Sequence, residues 1–163
     1  MYFVNGTTLR TKELLLLEGN ANGIAISPDS QTLYVGDTGA SETKPVARHN
    51  PYGPREMWAL DFAKSSAGAR VPLLQNRRML SNALEHFYDG LRVTKNGWIF
   101  AGAGEGVDVL DPESGLTMGT IRLGGGSNAA VTLAFGEEGT IYIVGKGGIW
   151  KVSNVKEPLR RAW

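Results

Sequence analysis

Residues 88–115 read YDGLRVTKNGWIFAGAGEGVDVLDPESG, and the rest of the chain repeats the pattern of this stretch. An acidic residue and a glycine open a short alternating run, and Lys95-Asn96-Gly97 supplies a tight turn. A second run leads through a glycine-rich bend to a third run that ends in Asp-Pro. Because alternation of apolar and polar residues between turn signals predicts β-strands, we expect three antiparallel strands here.

The same pattern occurs three times in one register. The predicted hairpins are IAISPDSQTLYV (24–35), LRVTKNGWIFA (91–101) and LAFGEEGTIYIV (133–144). Each is followed by a predicted third strand, and fourth strands are expected at 77–80 and 117–123. Four-stranded units that recur about every 40 to 50 residues are typical of β-propeller blades. The sequence therefore predicts an all-β chain of about three blades.

The two ends of the chain indicate an incomplete propeller. Residues 2–4 and 13–17 are interpreted as the last two strands of a blade, and no fourth strand is predicted after 152. We expect a partial β-propeller over 1–153, truncated at its N-terminal side, with blade remnants at 1–17, 22–80, 89–123 and 131–153, and a C-terminal tail over 154–163. Since an open arc exposes strand edges, we expect self-association or pairing with a missing N-terminal half.

Composition argues against several classes of partner. The 163 residues include 22 Gly, 7 Pro and no Cys, and the formal charge is +1. A near-neutral chain has no electrostatic footprint for nucleic acid, and the longest apolar run, 14–17, is too short to span a bilayer. We therefore expect neither a nucleic-acid nor a membrane partner, while the lack of cysteine leaves the compartment open.

The direction of the predicted strands brings two polar residues together. Because successive strands of a blade are antiparallel, the start of each first strand lies at one rim of the propeller. Asn22 and Asp89 precede equivalent first strands, so both are predicted at this rim. Oxygen ligands there would suit a hard divalent cation such as Ca²⁺, which binds six to eight oxygens. Asn-Gly and Asp-Gly are more often turn residues, so spacing alone leaves both interpretations open.

Further side chains of this rim are candidates for catalysis or substrate binding. His86 precedes Asp89 by three residues and is a candidate for assisting proton transfer, although a packing role is the commoner one for a loop histidine. His49, Tyr52 and Arg55 lie in a polar insertion that emerges at the same rim. They are candidates for contacting substrate from a lid, and a solvated loop is the alternative.

Two motifs resemble those of the SMP-30/gluconolactonase family. ANGIAISPDSQTLYVGDTG (21–39) is similar to its P-N-G-I-A-F-S-P-D motif, with Ala21 in place of the proline. The stretch 88–115 is similar to the D-G-I motif of the family's following blade. The sequence NGWIFAGAGEGVDVLDP especially resembles that of the family's fungal lactonohydrolase branch. This resemblance covers most of the chain.

The resemblance implies a six-bladed β-propeller with a divalent metal, usually calcium, in the central channel. The Asn of the N-G-I motif and the Asp of the D-G-I motif are metal ligands in that family, so these roles pass to Asn22 and Asp89. The implied reaction is hydrolysis of a sugar or aldonate lactone, with Asp89 as the candidate base. The family's glutamate ligand and a further asparagine have no matching position here, so the site is expected to be incomplete.

Functions from other classes stay open. One alternative is a non-catalytic propeller fragment that acts as a binding or assembly module. Another is a related propeller that resembles strictosidine synthases or arylesterases. The presence of both Asn22 and Asp89 favours descent from a metal site, so a gluconolactonase-like hydrolase is the principal expectation.

Overall fold

The part of the protein that the structure describes consists of short β-strands joined by turns. The computed structural model describes residues 2–4, 11–13, 20–42, 48–63, 73–84, 86–124, 130–137 and 139–159. The strands are β1 (Tyr2–Val4), β2 (Thr11–Glu13), β3 (Ala21–Ile26), β4 (Thr32–Asp37), β5 (Ser41–Glu42), β6 (Arg48–His49), β7 (Glu56–Phe62), β8 (Leu74–Asn82), β9 (Leu91–Val93), β10 (Ile99–Ala103), β11 (Gly106–Leu110), β12 (Thr117–Arg122), β13 (Thr132–Phe135), β14 (Ile141–Gly145) and β15 (Gly148–Val152). The prediction of an all-β chain is confirmed, since the described ranges contain no helix. Within those ranges, no helix could therefore cross a membrane.

Antiparallel pairing groups the strands into separate sheets. The first sheet has the order β3-β4-β7-β8, the second β12-β11-β10-β9 and the third β13-β14-β15. Two smaller pairs are β1 with β2 and β5 with β6. The three hairpins expected from the sequence are present, and their registers pair Ile24 with Val35, Leu91 with Ala101 and Leu133 with Ile143. The fourth strand expected at 77–80 lies within β8, and the one expected at 117–123 is present as β12, which ends at Arg122.

Two apolar cores hold the three sheets in chain order. The first core joins β4 and β7 of the first sheet to the second sheet and includes Tyr34, Met57, Ala59, Leu91, Val93, Ile99 and Leu110. The second core joins the second sheet to the third and includes Phe100, Val107, Leu133, Phe135, Ile141 and Ile143. Alternation explains this arrangement, because successive residues of a strand point to opposite faces and so serve opposite cores. Each large apolar side chain that is fully buried stabilises the packing by about 1.5–3 kcal/mol.

The opposite face of the first sheet carries a third cluster. Leu33, Val35 and Leu60 are buried there, and Trp58, Phe62 and Leu74 pack against them. Leu33 and Val35 alternate with Tyr34, which faces the second sheet. The first sheet is therefore apolar on both faces.

The residues after β15 pack against the sheets as far as the structure describes them. The amide of Val155 donates to the carbonyl of Gly139 at 3.0 Å, and the amide of Lys95 donates to the carbonyl of Pro158 at 2.9 Å. The hydroxyl of Thr94 donates to the carboxylate of Glu157 at 2.6 Å. In the segment that the sequence suggested as a tail, the part from 154 to 159 thus links the second and third sheets.

Candidate functional site

Asn22 and Asp89 lie side by side where the first and second sheets meet. Asn22 belongs to β3, whose pairing with β4 is irregular between Ala21 and Ile24, and Asp89 lies two residues before β9. A Cβ atom built at Gly23 would lie 1.8 Å from the carbonyl oxygen of Asp89. The two backbones therefore approach so closely that the position after Asn22 accepts no side chain.

The side chains of this pair are in direct contact. Asn22 is exposed and Asp89 is half-buried. Burial raises the pKa of the Asp89 carboxyl above its usual range, and a hydrogen bond from the side chain of Asn22 opposes that shift. The amide of Asn22 therefore donates to the carboxylate of Asp89. Two oxygen-bearing side chains, one in β3 and one just before β9, thus meet at the edge where these strands begin. We call the first strand of each sheet (β3, β9 and β13) its inner strand, and the edge at which the inner strands begin the rim.

Backbone hydrogen bonds fix the position of Asp89. Its amide donates to the carbonyl of Gly102 at 2.8 Å, and the amide of Gly102 donates to the carbonyl of Gly90 at 2.9 Å. The amide of Gly90 donates across to the carbonyl of Val131, which precedes the third sheet, at 2.8 Å. Asp89 is therefore held by the second sheet on one side and, through Gly90, by the third sheet on the other.

Asp37 fixes the chain at the start of β3, where it pairs with Ala21. Its Oδ1 accepts hydrogen bonds from the amide of Asn20 at 2.9 Å and from the amide of Gly39 at 2.8 Å. The hydroxyl and amide of Thr38 both donate to the carbonyl of Asn20. Asp37 is buried and acts here as a turn residue that positions the chain leading into Asn22.

His86 lies on the same rim in a strained backbone conformation. Its φ is +57°, which is uncommon for a residue other than glycine. The imidazole lies against Gly104 of the β10–β11 turn, where a Cβ atom would be 2.3 Å from Cδ2 of His86. The ring is also edge-on to Phe87, with 6.4 Å between ring centroids. The structure thus places His86 against the second sheet, and the strain identifies it as a position that the surrounding packing enforces.

The three candidates for substrate contact lie in a small anchored loop. Ser41 of β5 pairs with His49 of β6, and the loop is closed where the amide of Ala40 donates to the carbonyl of Pro54 at 2.7 Å. Tyr52 is 95% exposed at the tip of this loop. The guanidinium of Arg55 donates to the carbonyl of Pro51 at 2.9 Å, within the same loop. The structure therefore does not join Tyr52 or Arg55 to the pair formed by Asn22 and Asp89.

A buried polar group that the sequence argument missed lies in β11. Asp108 is buried, and its Oδ1 accepts a hydrogen bond from the hydroxyl of Thr120 at 2.7 Å. It lines a small cleft at the edge of the second sheet, next to the ion pair between Arg122 and Glu105. The register offers a signal, because the position of Asp108 is occupied by tryptophan in the other two sheets, at 58 and 150.

The described residues do not by themselves form a complete metal centre. Among them, no group of three or more His, Cys, Asp or Glu side chains is close enough to hold an ion. The donor set of Asn22 and Asp89 is nevertheless an amide oxygen and a carboxylate, which are the ligands that hard divalent cations prefer. The pair fits two positions of such a site.

Comparison with known proteins gives one family. The model described as "SMP-30/Gluconolactonase/LRE-like region" matches residues 2–146. Lactonohydrolase oryH of Aspergillus oryzae is 35% identical over 141 residues, which cover 78% of this chain and 28% of that protein. The chain thus spans less than a third of the length of this curated relative.

Two solved structures have the same fold. A gluconolactonase from Xanthomonas campestris superimposes with a TM-score of 0.68 at 26% identity, covering 98% of this chain and 44% of its own. Regucalcin from Agrobacterium tumefaciens, described as a calcium-binding protein, superimposes with a TM-score of 0.70 at 17% identity, covering 98% of this chain and 53% of its own. The resemblance stated from the two motifs is confirmed, and the chain belongs to the SMP-30/gluconolactonase/LRE-like family.

Proposed function

We propose that this chain carries part of the active site of a metal-dependent hydrolase that opens sugar or aldonate lactones. The observation that carries the proposal is the contact between Asn22 and Asp89 at the meeting point of two inner strands. The chain's place among gluconolactonases and lactonohydrolases supports the reaction class. In this proposal the three sheets are blades of a partial six-bladed propeller.

Asn22 and Asp89 would hold the metal ion. Calcium is the favoured ion, because the donor set is oxygen alone and because a structural relative is described as calcium-binding. A bound divalent cation would polarise the lactone carbonyl as a Lewis acid. Calcium binds six to eight oxygens, so the remaining ligands would come from water or from protein segments outside this chain.

Asp89 has two roles open to it in the proposed reaction. As a ligand, its carboxylate holds the ion in place. As a general base, it would accept a proton from the water that attacks the lactone carbonyl, which requires a hydrogen bond of about 2.6–3.2 Å to that water. Asn22 supports either role, because the hydrogen bond from its amide fixes the orientation of the carboxylate. The strained His86 is a weaker candidate for assisting proton transfer.

The test combines calcium titration with a lactone-opening assay. It is carried out on this chain and on a longer chain that adds the sheets present in its solved relatives. We expect the longer chain to bind calcium and open aldonolactones, and Asp89→Asn to lower its turnover by at least about a hundredfold. Glu113→Gln, which removes an exposed carboxylate far from the rim, is the control and should leave turnover unchanged.

The comparison with His86 tests the assignment of roles. His86→Gln should lower turnover less than Asp89→Asn, because the proposal gives the essential carboxylate role to Asp89. If the longer chain neither binds calcium nor opens a lactone, the enzyme proposal fails. If both chains bind calcium but Asp89→Asn turns over normally, the assignment of Asp89 fails.

A non-catalytic binding or assembly module is the second candidate function. The exposed apolar face of the third sheet favours it, since Tyr142, Val144 and Ile149 are apolar side chains in contact with solvent. Exposed apolar patches of this kind mark interaction surfaces. The two candidates differ in what loss of Asp89 would do, because a module would keep its function without this carboxylate.

A further inference from the structure

A small cleft lies at the rim, close to the proposed metal ligands. It opens between the segment that follows β8 and the outer strands β11 and β12 of the second sheet, and its volume is about 80 Å³. Its lining includes Leu84, Ala103, Glu105, Asp108, Thr120 and Arg122. Ala103 follows Gly102, whose carbonyl accepts the hydrogen bond from the amide of Asp89. The cleft therefore begins next to the backbone that holds Asp89.

The cleft occurs where small and polar side chains replace the large ones of the other sheets. In the first sheet, one row of the register consists of Val35, Trp58 and Met79. The corresponding row of the second sheet consists of Ala101, Asp108 and Thr120. In the third sheet the position of Asp108 is again a tryptophan, Trp150, which packs against the core shared by the second and third sheets. The second sheet thus has space, lined by oxygen atoms, where the other two sheets have an indole ring.

Asp108 lies on the face that the second sheet turns toward the first. It is in register with Ala101 and Leu91, both members of the first core, and residues opposite each other on paired strands share a face. Burial raises the pKa of the Tyr88 hydroxyl, and the nearby Asp108 carboxylate adds to this shift. Because neighbouring strands are about 4.8 Å apart, Asp108 is about 10 Å from β9 across the sheet. Asp108 and Asp89 therefore share the space between the first and second sheets, two strands apart.

The polar side of the cleft suits neutral hydroxyl groups. Oδ1 of Asp108 accepts a hydrogen bond from the hydroxyl of Thr120 at 2.7 Å, and a carboxylate offers about four acceptor sites in all. The guanidinium of Arg122 is paired with Glu105 and has five N–H donors in the general case, so it can also bind a ligand oxygen. The two carboxylates disfavour an anion, and the guanidinium disfavours a metal ion. A hydroxyl group both donates and accepts, so it matches both kinds of partner.

The apolar side and the size of the cleft restrict the ligand further. Leu84 is 79% exposed, and together with Ala103 it gives the cleft an apolar wall. The C–H groups of a hydroxylated carbon chain can pack against this wall while its hydroxyls face Asp108. A water molecule occupies about 30 Å³ of the liquid, so the cleft has room for a few non-hydrogen atoms and not for a whole sugar ring. A short hydroxylated carbon chain therefore fits both the chemistry and the volume.

We propose that this cleft binds the hydroxylated carbon chain of the sugar or aldonate lactone, and that Asp108 makes the site prefer such a lactone to an unsubstituted one. The inference rests on the proposed function, because it assigns a place to the end of the substrate that is remote from the reacting carbonyl. One ligand hydroxyl donates to the Asp108 carboxylate, and the guanidinium of Arg122 donates to a neighbouring hydroxyl oxygen. The lactone carbonyl then lies on the side of Asp89.

The first test measures substrate preference in the longer chain described above. Glucono-δ-lactone carries hydroxyl groups, and δ-valerolactone is the same ring without them. We expect Asp108→Asn to raise KM for glucono-δ-lactone at least about tenfold, because a bond to a charged acceptor is lost, and to leave kcat/KM for δ-valerolactone unchanged. Asp108→Trp, which introduces the side chain of the other two sheets, should do the same by filling the cleft. Glu113→Gln, an exposed carboxylate at the opposite end of the second sheet, is the control. Equal losses on both lactones would show that Asp108 supports the fold alone, and would overturn the inference.

The second test needs neither metal nor turnover. D-glucitol, a neutral open-chain polyol, is titrated in EDTA into this chain and into the longer chain, and amide shifts are followed by two-dimensional NMR. We expect saturable shifts at the amides of Glu105 and Thr120 that are lost in Asp108→Trp and kept in Glu113→Gln. If the longer chain opens no lactone, the proposed function fails, and this titration still decides whether the cleft binds hydroxyl groups. No saturable shift in the wild type, or equal shifts in Asp108→Trp, would overturn the inference even for an active lactonase.

Discussion

The first two sheets and the third begin in the same register but carry different chemistry. Asn22-Gly23 and Asp89-Gly90 precede Ile24 and Leu91, whereas Val131-Thr132 precedes the equivalent Leu133. Val131 still supplies the backbone carbonyl that accepts a hydrogen bond from Gly90, so the scaffold does not require a polar side chain at this position. The fold thus needs the strand, whereas the proposed metal site would need Asn22 and Asp89.

The glycines differ between the sheets for a reason of space. A Cβ atom at Gly90 would lie 2.5 Å from the side-chain hydroxyl of Thr132, and one at Gly23 would be closer still to the Asp89 backbone. Thr132 itself is exposed, because no described sheet packs against the third sheet on that side. The oxygen-bearing side chain and the glycine therefore occur together where two inner strands touch, and both are replaced where the third sheet begins.

Removal of the Asp89 side chain should have the largest effect, because it deletes the carboxylate that the third sheet lacks at the equivalent position. Asp89→Ala deletes the one carboxylate of the proposed pair, and we expect the calcium affinity of the longer chain described above to fall by at least about a hundredfold, or about 2.7 kcal/mol. Val131→Ala changes the equivalent position in the third sheet and should leave the affinity unchanged. Isothermal titration with calcium chloride measures both. Equal losses of calcium affinity in the two variants would show that the residue at this position does not distinguish the second sheet from the third.

Much of this arrangement was open to prediction from the sequence. Alternating runs and turn dipeptides located the three hairpins, because period two and turn chemistry are local properties. The direction of antiparallel strands was then enough to place Asn22 near Asp89. That the side chains touch was not predictable, since it depends on the irregular pairing after Ala21 and on how closely Gly23 approaches the next strand.

Contacts between distant segments were beyond such reasoning. The positive φ of His86 follows from its packing against Gly104, and the ordering of residues 154–159 follows from Glu157 binding Thr94. Neither leaves a periodic trace in the sequence. The conformation of the loop that carries Tyr52 and Arg55 likewise depends on two hydrogen bonds, from the amide of Ala40 to the carbonyl of Pro54 and from the guanidinium of Arg55 to the carbonyl of Pro51.

A methyl group at Gly23 tests whether close contact between inner strands supports the fold. In Gly23→Ala the new Cβ would be 1.8 Å from the Asp89 carbonyl oxygen and 2.7 Å from Cγ of Leu91. The strands must separate, so we expect the free energy of unfolding to fall by about 1–3 kcal/mol. Urea denaturation measures this loss.

Gly119→Ala provides the matched control for Gly23→Ala. Gly119 lies in β12, and a Cβ atom there would have no other atom within 4 Å. The free energy of unfolding should therefore stay the same or rise by up to about 1 kcal/mol, because alanine restricts the unfolded chain. If Gly23→Ala is as stable as Gly119→Ala, the close contact between the inner strands does not depend on the lack of a side chain at position 23.

At the opposite end of the strands it is the first sheet that differs from the other two, and the expected effect is smaller. The β-turns of the second and third hairpins use glycine for a positive φ, at Gly97 (+97°) and Gly139 (+67°), whereas the first hairpin places Ser30 at +60°. A left-handed conformation costs an L-residue about 1–2 kcal/mol, and glycine loses about 0.5–1 kcal/mol more backbone entropy on folding. Ser30→Gly should therefore raise the free energy of unfolding by about 0.5–1 kcal/mol in urea denaturation, with the bond from the Ser30 amide to the Ser27 carbonyl retained. Ser30→Ala keeps the strain and should give no gain, and a gain with alanine equal to that with glycine would mean that backbone strain does not separate the first turn from the other two.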